Sequence, residues 1–168
     1  MTVDARLAMH EAGHAVMAYH LSIGIDEIVM DQDPAYVSIQ DQPDGMRWQY
    51  LLFSMIGNAI ELKLDPVNGW VNTSSHDFWC VSEMLDEGTI SWRPPGLADD
   101  LEDPDHVYKI EEYIHSFTDP VYDQLEQQAA RIVEIPEIWQ QVSTLAAILM
   151  TVDRMGGGEV TQILEAKA

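Results

Sequence analysis

The sequence predicts a mainly α fold, built as one domain over residues 1–168, with a small β-ribbon after the first helix. Apolar residues recur at helical spacing through much of the chain, as in Leu51, Leu52, Met55, Ala59 and Leu62. β-prone runs are confined to residues 25–30 and 36–40, and the turn-forming Asp31-Gln32-Asp33-Pro34 separates them. The length suits a single hydrophobic core, because chains of about 150 residues bury roughly 70% of their unfolded surface. No internal repeat or low-complexity tract interrupts this pattern.

Taken in order, the first helix is expected over residues 2–23. Thr2 or Asp4 can cap it, Ala, Leu and Met populate it, and Gly24 supplies a stop. Pro43-Asp44-Gly45 breaks the chain before a second helix over residues 46–64, whose apolar stripe predicts a place in the core. Pro66, Asn68 and Gly69 mark a loop, after which Ser74 can cap a third helix running to about residue 87. Residues 89–104 carry Pro94-Pro95-Gly96 and the acids Asp99, Asp100, Glu102 and Asp103, the composition of a surface loop. Further helices are expected near residues 105–117, 119–135, 136–153 and 158–166. Pro120 and Pro136 fit first turns, and Gly156-Gly157-Gly158 reads as a break.

Eight Lys and Arg against 29 Asp and Glu give a formal charge of −21. Such a surface favours solubility and argues against sequence-independent nucleic-acid binding, which needs clustered cations on phosphates. Cys80 is the lone cysteine, so neither an intramolecular disulfide nor a thiolate zinc knuckle can form. No apolar run approaches the roughly 20 residues of a bilayer span, so the expectation is no membrane insertion and a cytoplasmic location.

Chemistry concentrates in His10-Glu11-Ala12-Gly13-His14. Positions i and i+4 share one helix face, so both imidazoles can reach one metal ion with Glu11 beside them as a general base. An open tetrahedral zinc site takes three protein ligands and a water, so a third ligand must come from elsewhere. His20 continues the histidine spacing of metzincins, but Met17 stands where their turn-forming glycine belongs. At 100° per residue, His20 sits about 240° around the helix from His14 and faces away. Glu61 lies on the second apolar helix, where ligation competes with a hydrogen bond to a histidine or a plain exposed charge. Asp77 follows Ser74 at the start of the third helix. Its local roles, a capping-box acid or a charge opposing the helix dipole, compete evenly with ligation.

These segments, in this order, resemble the peptidase domain of the FtsH family of ATP-dependent zinc metallopeptidases. His10-Glu11-Ala12-Gly13-His14-Ala15-Val16 is similar to the family's zinc helix. Ile56-Gly57-Asn58-Ala59-Ile60-Glu61 resembles its Gly-Gly-Arg-x-Ala-Glu helix, with Asn58 where arginine is usual. Ser74-Ser75-His76-Asp77-Phe78 resembles the segment whose aspartate is the third zinc ligand. Leu145-Ala146-Ala147-Ile148-Leu149 and Gly158-Glu159-Val160-Thr161-Gln162-Ile163-Leu164 are similar to the closing helices.

The resemblance implies Zn²⁺ held by His10, His14 and Asp77, with Glu11 as the catalytic base. The 168 residues contain no Walker-type phosphate loop, ATPase module or membrane anchor. The implied activity is therefore a stand-alone zinc metallopeptidase acting on peptides or unfolded protein, with a homo-oligomer or a separate ATPase as compatible partners. The ribbon strand at residues 36–40 is suited to pair with an extended peptide. The alternative is a zinc-binding interaction or regulatory module that keeps the peptidase fold without significant proteolysis.

Overall fold

Asp4 opens the first helix, α1 (Ala5–His20), by accepting a hydrogen bond from the Arg6 amide at 2.9 Å. This satisfies one of the N–H groups that a helix start leaves unpaired. The computed structural model describes residues 4–32, 34–40, 47–66, 77 and 120–166. α1 ends at His20 rather than at Ile23. Ser22 takes a left-handed conformation (φ 59°), and the Ile23 amide turns back to the Ala18 carbonyl at 2.8 Å while Ser22 reaches Tyr19 at 3.2 Å. That pair of bonds closes the helix as a Schellman motif ahead of Gly24, the expected stop.

The elements that follow are β1 (Ile25–Val29), β2 (Tyr36–Ile39), α2 (Arg47–Leu64), α3 (Pro120–Val133), α4 (Pro136–Leu149), β3 (Arg154–Gly156) and α5 (Gly157–Glu165). The architecture is mainly helical with one small antiparallel sheet of order β2-β1-β3. Ile28 of β1 faces Val37 on one side and Met155 on the other.

β3 corrects the sequence reading, in which a helix ran to residue 153 and the glycines only broke the chain. α4 instead stops at Leu149, and residues 154–156 pair with the central strand. Met155 is buried, and Arg154 reaches Asp31 at 3.3 Å, so the short strand is held by distant partners rather than by its own propensity.

α1 packs between α2 and α4, while α2 also packs on α3 and α5 lies against β1. Ala8, Ala12, Ala15 and Val16 of α1 are fully buried. Gly13 allows the close approach to α2, because a Cβ there would collide with the Ile60 side chain. The α1–α2 interface positions the site. Of the segments expected over residues 74–87, 89–104 and 105–117, only Asp77 is described, and it is helical. Among the described residues, no helix is long and apolar enough to cross a membrane.

Candidate metal centre

His10 and His14 occupy the α1 face turned toward α2, and both are buried, as is Glu11 between them. Each imidazole is held from behind. His10 Nδ1–H donates to Glu61 Oε1 at 2.8 Å, and His14 Nδ1–H donates to the Phe53 carbonyl at 2.8 Å. A carbonyl can only accept, so the His14 proton sits on Nδ1 and its Nε2 presents a lone pair. The same arrangement behind His10 turns its Nε2 inward as well, and the two Nε2 atoms stand 3.0 Å apart.

Asp77 supplies the third atom. Its Oδ2 lies 3.1 Å from His10 Nε2 and 3.3 Å from His14 Nε2, yet it is buried and meets hydrogen-bond geometry with neither. The Nε2 atoms of both rings and a carboxylate oxygen therefore converge, an arrangement that calls for a positive charge among them, a proton or a metal ion. The three residues are close enough to hold a metal ion. Their spacings match one face of a tetrahedron, whose edge is about 3.3 Å when the bonds are 2.0–2.1 Å. Gly57 of α2 leaves room for the pair, since a Cβ there would stand 2.6 Å from both Nε2 atoms.

The charges respond to this crowding. Burial by itself would lower the His10 pKa, but the Asp77 and Glu61 carboxylates beside it, with Glu11 adding a smaller share, push it up to about 10. Burial also works against the Asp77 anion, yet the His14 and His10 rings hold its carboxyl well below the usual carboxylate range. In the metal-free chain a proton on His10 thus takes part of the place of a cation.

No protein-family model matches this chain. No curated protein matches it either.

The remaining candidates separate clearly. His20 lies outside the cluster and bonds Gln141 of α4 at 2.7 Å, as its position around the helix requires. Glu61 does not join the donor triangle. It is fully buried, with one oxygen on His10 Nδ1 and the other 3.3 Å from Arg6 Nη2. His76, His106 and His115 lie outside the described residues. Sequence reasoning missed three contributors, namely Arg6, the Phe53 carbonyl and Gly57. Arg6 had a legible signal, since it precedes His10 by one helical turn on the same face. A carbonyl has no sequence signature at all.

Proposed function

We propose that this chain is a zinc-dependent metallopeptidase of the FtsH-peptidase type, cutting peptides or unstructured protein segments. The observation that carries the proposal is the convergence of His10 Nε2, His14 Nε2 and Asp77 Oδ2, where the helix that carries both histidines also buries Glu11 between them in sequence. Two nitrogens and one oxygen suit zinc, and three protein ligands with water in the fourth position is the arrangement that catalytic zinc sites use. A bound zinc ion supplies a water with a pKa near about 7 and polarises the scissile carbonyl.

The chain's own residues do the rest. Glu61 and the Phe53 carbonyl fix the tautomers that aim both Nε2 lone pairs. Glu11 accepts the proton of the attacking water and returns it to the leaving amine. β2 lies at an edge of the described sheet, which supports main-chain pairing with an extended peptide.

The test is zinc content together with cleavage of an unstructured protein by the wild type, Glu11→Gln and Asp77→Ala. Glu11→Gln should keep its zinc and lose cleavage by about 10²–10⁴-fold. Asp77→Ala should lose the metal. A wild type that retains zinc and cuts nothing would replace this reading with that of a zinc-binding interaction module.

A further inference from the structure

The buried carboxylate behind His10 has a second partner that the peptidase reading does not use. Glu61 is fully buried on α2, and its two oxygens are divided: Oε1 accepts from His10 Nδ1 at 2.8 Å, and Oε2 lies 3.3 Å from Arg6 Nη2. Arg6 sits one turn before His10 on α1, so a single helix face carries both ends of the chain Arg6–Glu61–His10. The Arg6 side chain is 25% exposed, which keeps part of it in water while its guanidinium reaches the interface.

We propose that Arg6 is a positioning residue for the metal centre, acting through Glu61 to set the affinity of the site for its ion. This deepens the metallopeptidase reading and rests on it. A carboxylate held at one oxygen only can pivot about its terminal torsion, and the ring it orients pivots with it. The Arg6 contact fixes the second oxygen, so Oε1 stays on Nδ1 and His10 Nε2 stays on line with His14 Nε2 and Asp77 Oδ2. Arg6 also balances a negative charge that has no exposure to water, which a neutral residue there would leave with His10 alone. His14 needs no such device, because its Nδ1 partner is the main-chain carbonyl of a helix. The two ligands of α1 are therefore supported differently, one by backbone and one by a side-chain relay of two members.

The test measures the affinity of the metal-free protein for Zn²⁺ by competition with a chromophoric chelator, together with the visible spectrum of the Co²⁺ form. Wild type, Arg6→Ala, Arg6→Lys, Glu61→Gln and the Arg6→Ala/Glu61→Gln double variant are compared. Arg6→Ala should bind zinc about 10–100-fold more weakly, the range for loss of a partner behind a metal ligand, and should shift the Co²⁺ bands. Arg6→Lys, which keeps the charge, should recover much of the affinity. In the Glu61→Gln background, Arg6→Ala should change affinity by less than about twofold, because the residue it acts through is already gone.

Zinc affinity equal to wild type in Arg6→Ala, with only a lowered thermal midpoint, would make Arg6 a structural residue and overturn the inference. So would an undiminished loss in the Glu61→Gln background. If Arg6→Ala does not fold, Arg6→Gln serves in its place with the same expectations. A wild type that takes up no divalent metal overturns the metallopeptidase reading, and this inference with it. Wild-type binding with an unaffected Arg6→Ala overturns this inference alone.

Discussion

Gly57→Ala is the sharpest single test of the metal centre. The methyl group would stand 2.6 Å from His10 Nε2 and 2.6 Å from His14 Nε2. A normal contact needs about 3.5 Å and His10 Cε1 would stand closer still, so at least about 0.9 Å must be found by turning the rings or by parting α1 from α2. Metal–ligand distances tolerate only about 0.2 Å, so either response breaks the donor triangle. The fold itself should suffer far less. Overpacking costs about 1–3 kcal/mol, whereas alanine in place of a mid-helix glycine returns about 1 kcal/mol. The expected result is a folded protein, helical by circular dichroism and within about 2 kcal/mol of wild type without metal, whose zinc affinity drops by about 100-fold, the upper end of the range for disturbing the surroundings of a metal ligand. Both quantities come from one preparation, by thermal unfolding of the metal-free form and by chelator competition. Wild-type zinc affinity in Gly57→Ala would refute the placement of the ion between the two Nε2 atoms.

Further outcomes follow from the charges and the packing. The raised His10 pKa stabilises the metal-free fold fully below pH 6.5, and this contribution disappears as pH climbs toward about 10. The lowered Asp77 pKa contributes above pH 3.8 and is lost in stronger acid. The thermal midpoint of the metal-free protein should therefore be highest between pH 3.8 and 6.5 and fall toward pH 10; a midpoint rising across that upper range would contradict the His10 assignment. Zinc uptake at neutral pH should release the His10 proton, measurable in a weakly buffered indicator solution. His20→Ala should leave zinc affinity unchanged and cost about 1–3 kcal/mol, since it removes the bond to the buried Gln141 and the edge contact with the Tyr19 ring. Asn58 is buried, and neither of its side-chain polar atoms has a hydrogen-bond partner among the described residues, so Asn58→Leu should raise stability by about 1–2 kcal/mol in denaturant titrations.

Much of the helical framework was legible because its signals are local. Asp4 is a capping residue by chemistry, and the apolar stripe of α2 follows from 3.6-residue periodicity. The displacement of His20 from the cluster likewise needed only the angle between successive residues. Legibility failed where distant segments decide the outcome. Residues 154–156 are strand because Glu27, Ile28 and Val29 offer them a ladder, and nothing within three residues announces that. The end of α1 depends on Ser22 adopting a conformation that glycine or asparagine usually takes, so Gly24 drew the boundary too late.

At the site, the helical spacing of His10 and His14 was plain, and the structure brings Asp77 to them. The residues alone left Glu61 open between ligand, histidine partner and exposed charge. Full burial and the contact at His10 Nδ1 make it a histidine partner. Gly57 could be seen as a glycine but not as a space, since its meaning lies in two rings contributed by another helix.

The Phe53 carbonyl has a consequence for how this site tolerates mutation. It precedes Gly57 by one turn of α2, where the missing side chain uncovers it to His14. No amino-acid replacement at position 53 deletes a carbonyl, so this arm of the site is immune to point substitution there, provided the new side chain still packs beside the ring of His14, 5.0 Å from that of Phe53. The arm behind His10 can be broken at either of two codons. A saturation scan scored on metal retention should therefore come out lopsided, with losses at positions 6 and 61 and tolerance at 53, although both histidines face the same candidate metal position. The inherited fragility of the centre lies on the His10 side.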